Sequence, residues 1–135
     1  MTRLLLWRHG QTDWNAADRV QGHLDVDLSE VGRTQAETAA ARLAELHPDR
    51  IVASDLRRAA DTAEALAAIT GLDVAYDARL RERHYGEWQG LTNSEITARW
   101  PEESERWRAG HAVPGFGIED LDELGKRMAN ALQDA

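Results

Sequence analysis

A three-layer α/β/α fold on a mainly parallel sheet is predicted by three observations. Leu4, Leu5, Leu6 and Trp7 form a continuous apolar run, the pattern of a strand buried on both faces. Short apolar segments then alternate with helical stripes, so strand and helix alternate three times. The length, 135 residues, is one domain's worth of chain and buries roughly two thirds of its unfolded surface. Right-handed crossovers place helices on both faces of such a sheet, and ligands bind at the carboxyl ends of its strands.

The first apolar run leads into Arg8, His9 and Gly10, which places His9 at the C-terminal end of a strand. Ser29 before Glu30 is an N-cap signal. Gln35, Ala36, Ala39, Ala40, Leu43 and Leu46 keep a narrow apolar stripe until Pro48 stops that helix. Ile51, Val52 and Ala53 read as the second strand. Ser54 or Asp55 is placed to cap the next helix, whose buried stripe is Ala59, Ala63, Leu66 and Ala67 and whose end is Gly71. Residues 72–76 read as the third strand, and residues 80–90 mix charge, aromatics and glycine without a period, as a functional loop does. Short helices follow over residues 92–100 and 102–108, broken at Pro101. A glycine-rich linker over residues 110–117 precedes a last helix carrying Leu121, Leu124, Met128 and Leu132.

Composition removes several classes of function. A net charge of −8 without a basic block excludes nucleic acid and anionic membranes as partners. No apolar run approaches the roughly 18 residues of a membrane span, and the run at residues 4–7 is too short for a signal-peptide core, so a cytoplasmic location is expected. The absence of cysteine excludes disulfides and thiolate zinc sites. No histidine and carboxylate pair stands at ligand spacing, and neither GxGxxG nor GxxxxGK[ST] occurs, so neither metal nor cofactor is expected. An anionic substrate would need a local basic pocket. Arginines gather as Arg8 beside His9, Arg57 with Arg58, and Arg79, Arg81 and Arg83, and solvated surface charge is the plainer reading of most of them.

The block Arg8, His9, Gly10, Gln11, Thr12, Asp13, Trp14, Asn15 continues in order through Gln21 and Gly22, then Asp27, Leu28 and Ser29. Further blocks are residues 54–59 (Ser-Asp-Leu-Arg-Arg-Ala) with Thr62, and residues 80–90 (Leu-Arg-Glu-Arg-His-Tyr-Gly-Glu-Trp-Gln-Gly). Together they resemble the histidine phosphatase superfamily, which includes cofactor-dependent phosphoglycerate mutases, over essentially the whole chain. The resemblance implies a phosphoglycerate mutase-like fold and a phosphatase for small phosphorylated metabolites.

It further implies His9 as nucleophile, since a neutral imidazole nitrogen attacks phosphorus to give a phosphohistidine that water later opens. Arg8, Asn15 and Arg58 match the phosphate-binding positions, where fixed guanidinium forks suit the spread charge of a phosphoryl group. Gln21, Gly22, Arg83 and Tyr85 fall at further substrate-binding positions. Glu82 matches the proton donor, with Glu87 as a nearby rival. Blander alternatives stand beside these assignments. Arg58 has Asp55 and Asp61 within reach on its own helix, and His84, Tyr85 and Trp88 suit packing within the loop. His23, His47 and His111 carry no assigned role.

In two respects the sequence departs from the family. The second catalytic histidine, in a His-Gly context after a later strand, has no counterpart after Gly110, where only Gly110, His111 and Ala112 stand. The expectation is therefore a single domain over residues 1–135 that lacks the C-terminal strand, with an uncovered sheet edge favouring homo-oligomers. Asn93 stands where mutases resemble one another in a lysine, and Arg108 is followed by Ala109 rather than a second arginine, which favours hydrolysis over a mutase. A phosphoglycerate mutase and a non-catalytic anion-binding or interaction module stay open as alternatives.

Overall fold

Small side chains set the central packing. In the computed structural model, which describes residues 2–135, Ser29 caps helix α2 (Glu30–Ala44) by accepting the Gly32 amide at 3.1 Å. The helix buries Gly32, Ala36 and Ala40, spaced four apart on one face. Against it lies α3 (Arg57–Thr70), which buries Arg58, Thr62, Ala63 and Leu66. Ala40, Ala63 and Leu66 complete a core with Ile51 and Ala53. The expected stripe is thus narrower than its leucines suggested. Leu43 only packs against this core from a partly buried position, and the helix ends before Leu46, which is exposed. Gln35 serves as a polar tie, accepting the Gln11 amide at 2.9 Å.

Strands β1 (Ile51–Ala53) and β2 (Val74–Tyr76) pair in parallel, Ile51 beside Val74 and Ala53 beside Tyr76, with α3 as the crossover between them. The class is α/β with a parallel sheet, as expected. Gly71, in the left-handed region at φ 74°, ends α3 and donates to the Ala67 carbonyl at 2.9 Å. The start of α3 differs from expectation. Its N-cap is Leu56, which offers no side-chain bond, while Ser54 Oγ accepts the Leu56 amide and Asp25 Oδ1, from a distant loop, accepts the Arg57 amide at 2.7 Å.

The first expected strand does not form. Among the described residues, 2–11 join no ladder, and Leu4 and Leu6 are 57% and 84% exposed, while Trp7 packs against the β1 core. His9 therefore follows a segment without regular structure rather than a strand end. An apolar run states a demand for burial, but a strand also needs neighbours on its ladder, and here β1 and β2 pair with each other.

A short helix not foreseen in the sequence, α1 (Asp13–Ala16), follows the histidine. Thr12 Oγ1 accepts the Asn15 amide while Asn15 Oδ1 accepts the Thr12 amide, a capping box with asparagine in the returning position. Helices α4 (Asn93–Arg99) and α5 (Pro101–Arg108) meet at Trp100, with proline in the first turn of α5. They enclose a second core of Trp88, Ile96, Val113 and Phe116. Residues 110–117 are consequently not a free linker. Gly110, Gly115 and Gly117 take positive φ, and the turns they allow return Val113 and Phe116 to the interior. The last helix, α6 (Leu121–Asp134), packs on the 3-10 turn Ala78–Leu80 and buries Ala131, whereas Leu121 and Leu132 of its expected stripe are exposed. No described helix is long and apolar enough to cross a membrane.

Two glycines permit the backbone of α2 to touch the segment after His9. A Cβ on Gly32 would lie 1.9 Å from the Gln11 carbonyl oxygen, and one on Gly10 would lie 2.2 Å from the Gly32 carbonyl oxygen. Both obstacles are backbone and cannot swing away. Gly32→Ala is expected to cost about 2 kcal/mol or more. Gly125→Ala, inside α6 with nothing within 4 Å of the added methyl, should raise stability by up to about 1 kcal/mol. Urea midpoints of the two variants should move in opposite directions; shifts of the same sign would contradict this packing.

Candidate active site

Glycine contact is what holds the residues around His9. The Gln11 carbonyl accepts both the Ser29 amide at 2.9 Å and the Ser29 hydroxyl at 3.1 Å. The Gly10 amide donates to Thr62 Oγ1 at 3.1 Å, and that hydroxyl donates onward to the Arg58 carbonyl at 2.7 Å. A relay one residue long thus ties the backbone beside His9 to the first turn of α3. Thr62 stood in the recognised sequence blocks without a role, and its spacing of four from Arg58 was the available sign.

The ring of His9 is half-buried. Its Nδ1 lies 2.6 Å from the Gly10 carbonyl oxygen, which only accepts, so Nδ1 carries the proton and Nε2 keeps its lone pair. Burial pushes the pKa of His9 below the ordinary 6.5. The Gly10 hydrogen bond opposes this, the Arg58 and Arg8 charges add to the lowering, and Glu82 raises it. A lowered pKa favours the uncharged imidazole at neutral pH, with the lone pair left on Nε2.

Arg58 is 2% exposed. Its two terminal nitrogens donate to the Gly22 carbonyl at 2.7 Å and the Leu24 carbonyl at 2.8 Å, so they brace the loop before α2 rather than pairing with Asp55 or Asp61. Those carboxylates have other partners, Asp55 with Arg81 and Asp61 with Arg33. Arg57 is exposed and pairs with Asp27, as surface charge does. Two of the five guanidinium N–H groups of Arg58 are thereby engaged with carbonyls, and among the described residues no carboxylate forms a salt bridge to it. Burial lowers its pKa, while Glu82 and Asp25 act in the opposite sense.

The remaining candidates lie around this pair. Arg8 is exposed and acts on His9 through its charge. Asn15 has its carbonyl oxygen committed to Thr12, which leaves the amide nitrogen as its outward donor. Gln21 is buried, with Oε1 accepting from the Thr12 hydroxyl at 2.8 Å. Gly22 takes φ 55°, and a Cβ there would meet Gln89 Oε1 at 2.1 Å. That oxygen also accepts the amides of His23 and Tyr85, joining the two loops.

Glu82 is exposed, and its Oε1 accepts the Arg83 amide at 2.8 Å. Its charge, and not that of Glu87, acts on His9, Arg58 and Tyr85. Arg83 and Tyr85 turn away toward the second core: the Arg83 guanidinium lies 4.8 Å from the Trp107 ring centre and its Nε donates to the Glu119 carbonyl. His84 Nδ1 accepts the Gly86 amide, and its ring packs edge-on against His23 at 4.8 Å. His23 is not idle either, since its Nε2 donates to the Glu82 carbonyl at 2.7 Å. Two surface depressions elsewhere, on the outer face of α2 and between α2 and α3, contain neither His9 nor Arg58. Among the described residues no group of histidines and carboxylates is arranged to hold a metal.

Comparison with known sequences decides the family. A sequence model of the histidine phosphatase superfamily, branch 1, matches residues 4–135. The chain belongs to the histidine phosphatase superfamily. Its relatives include a glucosyl-3-phosphoglycerate phosphatase of Mycobacterium tuberculosis, 56% identical over 125 residues, covering 93% of this chain and 56% of that protein. Phosphoserine phosphatase 1 of Hydrogenobacter thermophilus is 36% identical over 135 residues, covering 99% of this chain and 64% of that one. A solved structure of mycobacterial glucosyl-3-phosphoglycerate phosphatase in complex with VO3 superposes with a TM-score of 0.87 at 47% identity, over 93% of this chain and 63% of that one. The chain thus spans 56% and 64% of the lengths of these two curated relatives.

The environment of His9 is open to direct measurement. Titration of its ring by NMR should give a pKa below 6.5, with Nδ1 protonated in the neutral form. A value at or above 6.5, or the opposite tautomer, would contradict the geometry.

Proposed function

We propose that the domain hydrolyses phosphomonoesters of small metabolites through a phosphohistidine at His9. The observation that carries this reading is the juxtaposition of a neutral imidazole, its Nδ1 proton fixed on the Gly10 carbonyl, with a buried Arg58 that has no salt-bridged carboxylate among the described residues. A buried cation held only by carbonyls favours an anion beside it, and a phosphoryl group supplies three equatorial oxygens for guanidinium donors. The names of the relatives, both phosphatases, support the same chemistry.

His9 Nε2 attacks phosphorus and the P–O ester bond breaks. Glu82, as general acid, donates its proton to the leaving oxygen, which departs as an alcohol. Water then attacks the phosphohistidine, Glu82 accepts the proton from that water, and inorganic phosphate leaves with His9 restored. Arg8, Arg58 and the Asn15 amide bind the phosphoryl oxygens throughout. Gln21 and Gly22 hold the neighbouring loop, and Arg83 and Tyr85, turned toward the second core, brace the segment that carries Glu82. Hydrolysis is favoured over phosphoglycerate mutation because Arg108, expected to anchor a substrate carboxylate in a mutase, spends its terminal nitrogen on Thr97 at 2.7 Å and Ser104 at 3.2 Å.

Brief exposure to a phosphomonoester followed by alkaline denaturation should leave phosphate on the protein, stable to base and labile to acid, and His9→Ala should abolish it. A label that survives in His9→Ala, or the absence of any label on the parent chain, would overturn the reading. Isomerised 3-phosphoglycerate in place of released phosphate would instead indicate a mutase. For the acid, Glu82→Gln should slow an alkyl phosphate at least about tenfold more than an aryl phosphate, whose leaving group scarcely needs a proton.

A further inference from the structure

We infer that Arg127, held by Glu119, is a positioning residue that sets the place of the Glu82 acid; the inference rests on the role given to Glu82 above. Glu82 lies in a segment without regular secondary structure, after the turn Ala78–Leu80, and its side chain is exposed. Neither a helix nor burial of its own carboxyl fixes it. The backbone of that segment is fixed instead by one guanidinium from α6, far along the chain.

All five N–H groups of Arg127 are engaged. One terminal nitrogen donates to the carbonyls of Arg79 and Arg81, both at 2.7 Å. The other donates to the Glu82 carbonyl at 3.0 Å and to Glu119 Oε1 at 2.8 Å. Nε completes a bidentate pair with Glu119 Oε2 at 2.6 Å. Glu119 extends the same hold: its Oε1 accepts the His84 amide at 3.1 Å, its carbonyl accepts Arg83 Nε, and its amide donates to the His84 carbonyl. Residues 79–84 are therefore pinned on both sides of Glu82, and His23 adds a second donor to the Glu82 carbonyl.

The pair is shielded, with side chains 19% and 14% exposed. Hydrogen bonding from Arg127 holds the Glu119 carboxyl down at about 2, so it stays charged at neutral pH and the clamp does not itself titrate there. A lysine in place of Arg127 keeps the charge but lacks the planar fork that reaches three carbonyls and a carboxylate together. General acid catalysis depends on the donor lying within hydrogen-bond reach of the leaving oxygen, so a loosened loop should penalise the step that needs the proton.

The test compares Arg127→Lys, Arg127→Gln and Glu119→Gln with the parent chain in single-turnover labelling of His9, using an alkyl phosphate and p-nitrophenyl phosphate. The expected result is a loss of about tenfold to a hundredfold with the alkyl ester and less than about threefold with the aryl ester, Arg127→Lys being no better than Arg127→Gln on the alkyl ester. Equal losses on both esters would mean that Arg127 merely stabilises the fold, and would overturn the inference while leaving the phosphohistidine intact. Amide hydrogen exchange of residues 81–84 supplies a readout independent of turnover. It should rise at least about tenfold in Arg127→Lys while amides in α2 and α3 keep their protection. Unchanged exchange at 81–84 overturns the inference even where the parent shows no label, an outcome that separately defeats the phosphohistidine reading.

Discussion

A guanidinium excluded from water is the constraint on which the site depends. Arg58 enters the interior at the first turn of α3 and is compensated by the Gly22 and Leu24 carbonyls rather than by a carboxylate. Removing a charge from water is costly unless its donors are satisfied, so the loop that provides those carbonyls must stay where it is. Asp25, next in that loop, accepts the Arg57 amide and supplies the helix cap that α3 lacks locally. Helix start and loop hold each other, and a positive charge without a salt-bridged carboxylate among the described residues is left acting on His9.

The same economy shapes the setting of His9. His9 has no strand beneath it, yet Gly10 and Gln11 are gripped from two helices, by Thr62 of α3 and by the cap of α2. Close backbone approach at Gly10 and Gly32 makes the grip possible. Desolvation in this crevice, aided by Arg58 and Arg8, keeps the imidazole neutral, so packing and reactivity come from one arrangement.

Around Glu82, two cores meet. The β1 core carries α3 and hence Arg58, whereas the aromatic core of Trp88, Ile96, Val113 and Phe116 carries the loop that follows Glu82. Gln89 joins them by accepting amides from both His23 and Tyr85, and the Arg127 and Glu119 pair closes the loop from α6. The placement of Glu82 relative to His9 consequently depends on contacts from both cores.

Read alone, the sequence determined the α/β class, the helices from Glu30 and through Ala63 and the paired strand at Ile51, and it singled out His9, Arg58 and Glu82, whose charges act on one another in the structure. Periodicity, caps and ordered motifs are local, and they survive in any arrangement consistent with them. What it could not determine was everything that required a partner distant in the chain. The run at Leu4, Leu5 and Leu6 showed its hydrophobicity but not whether a ladder neighbour exists, and it lies exposed. Asp25 as the cap of α3, Thr62 as the tie to Gly10, and Arg127 and Glu119 as the hold on the segment around Glu82 pair across 32, 52 and more than 30 residues of sequence. A polar side chain carries no local signature of the carbonyl or amide it will meet, so only the tertiary structure, by bringing those groups within hydrogen-bond distance, decided which charged residues work and which merely face water.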